Sequence, residues 1–205
     1  MSAGDNGQFL PLIDRFYSIQ GEGFHTGKPA YFIRIGGCDI GCHWCDTKIS
    51  WNEDFHEMVS IEEITRTAGS YPARSLVVTG GEPTLYNLTP LTSLLKKKKI
   101  LCYLETSGNH QIRGEWSWVC LSPKQIHPPV KENYLLADEL KVIISEEKDI
   151  AFAESEGLKV RKGCHLFLQP EWSRFRSVLP VIVEYVKMNP AWNISLQSHK
   201  FMNIP

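Results

Sequence analysis

Short apolar runs, each closed by a polar or glycine-rich segment, recur along the chain. Residues 31–35, 76–78, 100–104, 118–121, 139–144, 165–168 and 193–196 are rich in Val, Ile, Leu or aromatic residues and are strand-sized, so they predict strands. Helix signals lie between several of them. Ser60 with Glu63 has the spacing of a capping box ahead of Ile64, and Thr89-Pro90 places an N-cap residue before a proline at the first helical position. Residues 148–156 predict a further helix, and 172–188 a long one that Pro180 kinks or divides. The four lysines at 96–99 read as a solvated helix C-terminus whose cations complement the helix dipole. Strands alternating with helices, with no internal repeat, predict an α/β fold with a largely parallel sheet, and 205 residues suit a single domain over 1–205.

The segments that close the apolar runs are the more informative regularity. Residues 31–35 lead into GGCDIGCHWCDT, 76–78 into TGGEPT, 100–104 into ETSG, 118–121 into SPK and 165–168 into QPEW. In a parallel sheet or barrel the strand C-termini gather on one rim, where α/β proteins bind ligands. The five segments are therefore expected to line one cleft.

Charge and composition narrow the ligand class. A net charge of -1 argues against broad phosphate-backbone binding, so a small molecule is expected rather than nucleic acid. No stretch approaches the roughly 18 apolar residues of a membrane span, and MSAGDNGQFL lacks the basic-then-apolar order of a signal peptide. The expected setting is the cytoplasm, with no membrane partner. In that reducing compartment clustered cysteines read as metal ligands or catalytic thiols rather than as disulfides.

Three of the six cysteines are clustered. Cys38, Cys42 and Cys45 make a C-x3-C-x2-C spacing in one loop, with Gly36, Gly37 and Gly41 beside the thiols. Structural zinc takes four protein ligands and ferredoxin clusters four cysteines, so three thiolates leave one position open for chemistry. His43 keeps a zinc knot as the alternative. Cys102, Cys120 and Cys164 are dispersed in apolar surroundings and read as buried small hydrophobes.

With Gly80-Gly81-Glu82-Pro83 downstream of that loop, the chain resembles the radical S-adenosylmethionine superfamily. The resemblance implies a [4Fe-4S] cluster on Cys38, Cys42 and Cys45 whose open iron chelates S-adenosylmethionine, and an incomplete, TIM-like β/α barrel of the radical SAM type. A closer resemblance, spanning nearly the whole chain, is to the 7-carboxy-7-deazaguanine synthase family. It rests on residues 16–23 (FYSIQGEG), Cys45-Asp46-Thr47, Glu105-Thr106-Ser107-Gly108, Ser122-Pro123-Lys124, Gln169-Pro170, and the segment from Gln197-Ser198-His199-Lys200 to Pro205. That family converts 6-carboxy-5,6,7,8-tetrahydropterin to 7-carboxy-7-deazaguanine with release of ammonia, on the route to queuosine and related 7-deazapurines. It uses Mg2+ and regenerates its S-adenosylmethionine.

Position by position, the resemblance implies that Ile19, Gln20 and Gly21 meet the pterin ring and that Arg34 takes the substrate carboxylate. A planar guanidinium, which offers a carboxylate two parallel donors, suits that role. Thr106 and the carboxylate of Pro205 are implied at the substrate as well, with Gln197 and His199 as further groups for the heterocycle's edge. Thr47 is the implied Mg2+ ligand. Trp44, Cys45, Asp46, Gly108, Ser122, Pro123, Lys124, Gln169, Pro170, Glu171 and Trp172 are implied at S-adenosylmethionine, with the Gly80 and Gly81 backbone near its amino group. A flavodoxin or ferredoxin reductant and a homodimer that covers the exposed sheet edges are the expected partners. Two rival readings stay open at this point: an enzyme that installs a glycyl radical on a partner protein, and a non-enzymatic binding module stapled by metal at the cysteine loop.

Overall fold

The computed structural model describes residues 6–45, 47–52 and 56–205. In chain order its elements are β1 (Phe9–Ile19), β2 (Pro29–Ile35), β3 (Glu57–Ser60), α1 (Ile61–Ser70), β4 (Ser75–Gly80), α2 (Thr89–Lys97), β5 (Leu101–Thr106) and β6 (Trp118–Leu121), then β7 (Glu139–Ile144), α3 (Asp149–Gly157), β8 (His165–Pro170), α4 (Phe175–Met188), β9 (Trp192–Ile194) and α5 (Ser198–Met202). All strands join one sheet in the order β3-β1-β2-β4-β5-β6-β7-β8-β9. From β2 to β9 each neighbouring pair is parallel, while β1 runs antiparallel to both β2 and β3. Among the described residues β3 and β9 remain as edges, so the barrel is incomplete, as the sequence led us to expect.

The seven predicted strands are the seven parallel ones. The sequence pattern does not reveal β1 and β3. Pro11 interrupts the apolar pattern of β1 and the pairing register shifts between Leu12 and Asp14, so alternation is lost there. Strand β3 has four residues and runs straight into α1.

Side-chain alternation in the parallel strands builds two different faces. Tyr31, Ile33 and Ile35 of β2, with Leu76 and Val78 of β4, join one core with Ile61 and Ile64 of α1 and Leu91 and Leu95 of α2. Leu140, Val142 and Ile144 of β7 and Leu168 of β8 form a second core with Ala153 of α3 and Val178 and Ile182 of α4. The intervening residues, Phe32 and Arg34, Val77 and Thr79, Glu105, Lys141 and Ile143, and Gln169, line a cavity on the sheet's other face. One face therefore holds helices on, and the other holds chemistry.

Helix starts follow local rules, with two corrections. Ser60 Oγ accepts from Glu63 N–H at 3.2 Å, which is half of the predicted capping box at the start of α1. Thr89 is the first helical residue of α2 rather than its cap, and its N–H donates to Asn87 Oδ1 at 3.2 Å. Pro180 sits inside α4 without dividing it. The helix starts at Phe175, after a 3-10 turn, Trp172–Arg174, capped by the Glu171 carboxylate. No helix among the described residues is long and apolar enough to cross a membrane.

Candidate active site

The cavity on the inner face measures about 300 Å3 and collects the C-terminal ends of β2, β4, β5, β6, β7 and β8 with the segments that follow them. Cys38, Cys42 and Cys45 all line it. None is in a disulfide, as is true of all six cysteines. Burial raises the pKa of the Cys38 thiol, and hydrogen bonds from the backbone at Ile40 and Gly41 oppose that rise. Burial likewise raises Cys42, opposed by the Lys124 ammonium. Backbone donors and a nearby cation are what a thiolate ligand needs.

The donor set fits a cluster better than one ion. His43, the fourth ligand that a zinc knot requires, lies outside the cavity lining. Among the described residues no three His, Cys, Asp or Glu side chains are gathered closely enough to hold a single metal ion. Three thiols that line one cavity are the protein donor set of a cluster whose fourth position is left to another ligand.

The cysteine loop is fixed from two sides. Glu82 N–H donates to Gly37 O at 2.8 Å, Gly81 N–H to Ile35 O at 2.8 Å, and Tyr86 Oη to Gly36 O at 2.9 Å. A Cβ on Gly81 would lie 2.1 Å from Gly37 O, and one on Gly80, where φ is +140°, 2.2 Å from Ile35 O. Close packing against the cysteine loop thus requires these glycines, independently of any ligand. On the other side Asp39 accepts from Asn109 Nδ2 at 3.1 Å and pairs with His110 Nε2 at 2.8 Å.

Glu82 is buried at the junction. Its Oε1 accepts from Thr84 N–H at 3.0 Å, from Thr84 Oγ1 at 2.6 Å and from Thr106 Oγ1, while Oε2 accepts from Ser107 N–H at 2.9 Å and Ser107 Oγ at 2.5 Å. The Thr106 hydroxyl also accepts from Gly108 N–H at 2.9 Å. One carboxylate thereby ties the GGEP turn to the end of β5.

Lys124 enters the cavity from beyond β6. Its ammonium donates to Ser122 O at 2.6 Å and Ser122 Oγ at 2.8 Å and lies 5.4 Å from the Trp44 ring centroid. Burial lowers its pKa, against the Cys42 thiol, which raises it. A second buried cation, Lys141, donates to Glu22 Oε2 at 2.7 Å and Glu105 Oε2 at 2.8 Å. Burial opposes charge on Lys141, but the Cys120 thiol, Glu105, Glu22 and Glu139 hold it well above the usual ammonium range. Burial would raise Glu22, yet Lys141 and hydrogen bonds from Gln197 and Gln169 bring it down to about 2. Arg34 differs from both lysines. It lines the same cavity, and its guanidinium has no hydrogen bond or ion pair with any described residue.

Comparison with known proteins decides the family. Residues 32–123 match the radical SAM superfamily. The 7-carboxy-7-deazaguanine synthase of Flavobacterium psychrophilum is 52% identical over 203 residues, which cover 99% of this chain and 96% of that protein. The enzyme of the same name from Synechocystis sp. is 39% identical over 208 residues, with both chains covered in full. The crystal structure of QueE from Escherichia coli superposes with a TM-score of 0.81 at 32% identity, covering 93% of this chain and 95% of that one. The chain belongs to the 7-carboxy-7-deazaguanine synthase family.

For a 7-carboxy-7-deazaguanine synthase, most of the positions that the motifs nominate meet in the one cavity. Ile19, Gln20, Gly21, Arg34, Thr106 and Pro205 line it, as do Trp44, Thr47, Ser122, Lys124, Gln169, Pro170, Glu171 and Trp172 beside the three cysteines. Two nominated residues among those described do not. Gly108 is outside the lining, with φ at +73° and a Cβ position 2.3 Å from Leu121 Cδ1, which gives the glycine a backbone and packing reason of its own. Pro123 is also outside the lining, and Asp46 lies outside the described residues. Glu171 reaches the cavity with its carboxylate already engaged, accepting from Ser173 N–H at 2.9 Å, Ser173 Oγ at 2.6 Å and Arg174 N–H at 3.1 Å.

Sequence reasoning missed Lys141 and gave no role to Glu22, Glu82 or Glu105. The signal for Lys141 is a lone cation in the otherwise apolar run LKVII. The chain's final segment is stitched to the QGEG loop: Ser198 N–H and Oγ donate to Gly21 O at 2.9 and 3.0 Å, and a Cβ on Gly21 would lie 2.2 Å from His199 Nδ1.

Proposed function

We propose that this chain converts 6-carboxy-5,6,7,8-tetrahydropterin to 7-carboxy-7-deazaguanine with release of ammonia; the names of its relatives give the product, and the motif resemblance implies the substrate and the ammonia. The observation that carries the reading is that three cysteine thiols and a guanidinium unpaired among the described residues line one cavity. Cys38, Cys42 and Cys45 would hold the [4Fe-4S] cluster, leaving the position beside them to S-adenosylmethionine. Together these groups supply, when bound, a carbon radical that abstracts hydrogen from the substrate.

The chain's own residues bind, orient and shield. Arg34 offers parallel donors to the pterin carboxylate, which fixes the substrate's acid end. Gln20, Thr106 and Gln197 face the heterocycle, and the apolar Phe32, Val77 and Ile143 exclude water around it. Lys124, Ser122, Trp44 and the segment 169–172 take the S-adenosylmethionine side. Thr47, in the cavity lining two residues beyond Cys45, is assigned to Mg2+ through its hydroxyl, a hard oxygen donor. We also assign one electron per cluster reduction to a flavodoxin or ferredoxin, and a homodimer to the cover of the open sheet edges. The relatives favour a small heterocycle over the macromolecular substrate of a glycyl-radical activating enzyme.

Anaerobic incubation of the reconstituted protein with carboxytetrahydropterin, S-adenosylmethionine, Mg2+ and a reductant tests the reading. It predicts 7-carboxy-7-deazaguanine and ammonia. Intact pterin in a preparation that holds iron would refute it.

A further inference from the structure

Lys141 has no place in the functional reading above, yet it is 4% exposed and sits on the inner face of β7. Its ammonium joins parts of the chain that are distant in sequence: Glu22 after β1 at 2.7 Å and Glu105 on β5 at 2.8 Å. Each carboxylate in turn holds an amide. Gln20 Nε2 donates to Glu105 Oε1 at 3.3 Å, and Glu22 N–H donates to Gln20 Oε1 at 3.2 Å, so both ends of the Gln20 side chain are fixed. Gln197 Nε2 donates to Glu22 Oε1 at 2.9 Å. Gln20, Glu22, Glu105, Lys141 and Gln197 all line the cavity.

A buried ion network of this kind is poor at adding stability, because desolvation offsets the attraction and apolar replacements are often neutral. What it does well is set register. Here it sets the relative positions of the QGEG loop, β5 and the segment before α5.

We propose that Lys141 is a positioning residue for substrate: by bridging Glu22 and Glu105 it holds the Gln20 and Gln197 amides in place against the heterocycle. This rests on the reading that the cavity takes the carboxypterin. The lysine touches neither cluster nor S-adenosylmethionine in this role, so its loss acts on one ligand only.

The test uses reconstituted holoenzyme of the wild type, Lys141→Met and Glu105→Gln, with iron content, S-adenosylmethionine affinity and steady-state kinetics as readouts. In both variants KM for carboxytetrahydropterin rises about 10- to 100-fold, the size of one or two lost charge-assisted contacts, while iron content and S-adenosylmethionine affinity stay at wild-type values. An unchanged KM in both variants overturns the role, as does a loss of S-adenosylmethionine affinity equal to the loss of substrate affinity. If Lys141→Met does not fold, Glu105→Gln decides by the same criteria, since it keeps the Lys141–Glu22 pair. Wild-type protein that never turns over the pterin would instead refute the proposed function, which separates the two failures.

Discussion

Gly81 and Gly37 touch so closely that a Cβ on Gly81 would lie 2.1 Å from the Gly37 carbonyl oxygen. The GGEP turn is therefore a packing surface for the cysteine loop before it is anything else. Gly81→Ala must push that loop aside, at a cost of about 1–3 kcal/mol for an overpacked contact. The expected outcome is a lower denaturation midpoint together with less iron retained per chain after reconstitution. Wild-type iron retention in this variant would show that the contact does not position the cysteines.

Much of this arrangement is legible in the sequence because it depends on period and punctuation. Each strand-sized apolar run between 31 and 196 is a parallel strand, and the segments after five of them share one cavity. The illegible parts depend on partners far along the chain. β1 hides behind Pro11 and a register shift, and β3 is too short to show alternation. Lys141 appears in sequence as a stray charge, and only the fold brings Glu22 and Glu105 to it, across sequence separations of 119 and 36. Gly80, Gly81 and Gly108 look in sequence like ligand approaches, and only the fold shows that a Cβ at each would also strike protein atoms.

Glu22 makes stability depend on acid. Its folded-state pKa is held down to about 2, below the usual 4.5, so its contribution is complete above about pH 4.5 and fades as pH falls toward 2. That difference corresponds to something on the order of 3 kcal/mol between the ionised and protonated forms, which measures what breaking the network costs rather than what forming it adds. Glu22→Gln removes the dependence. The urea midpoint of the wild type should exceed that of the variant by a constant margin above about pH 5, and the margin should shrink in more acidic buffer. A margin that widens on acidification would have the wrong sign.

The Arg34 guanidinium makes no pair with described protein groups, so its substitution should leave the fold alone and weaken binding of the substrate's acid end. Arg34→Met is expected to raise KM for the carboxypterin by about 10- to 100-fold, as for loss of a charge-assisted pair of hydrogen bonds. The melting temperature should barely move. Equal KM values would reassign the carboxylate to another group.

Thr47 precedes a 3-10 turn without capping it through its side chain, although its carbonyl accepts from Ser50 N–H at 2.9 Å and Ser50 Oγ at 2.6 Å. Thr47→Ala keeps those carbonyl bonds and should keep the cluster. Its turnover is expected to lose most of the stimulation that Mg2+ gives the wild type, read as activity against Mg2+ concentration. An unaltered Mg2+ curve would remove Thr47 as the ligand.

For hydrogen to pass from substrate to cofactor, the cysteine loop and the Arg34 pocket must form one reaction chamber. Substrate carrying deuterium on the carbons of its reduced ring, incubated anaerobically with reconstituted protein, S-adenosylmethionine, Mg2+ and reductant, reports on that directly. Deuterium should appear in the 5′-deoxyadenosyl group, measured by mass spectrometry in the re-formed S-adenosylmethionine and in any 5′-deoxyadenosine released, as the pterin is consumed. Cleavage of S-adenosylmethionine with saturating pterin and no transfer of label would place the two sites apart and contradict a shared chamber.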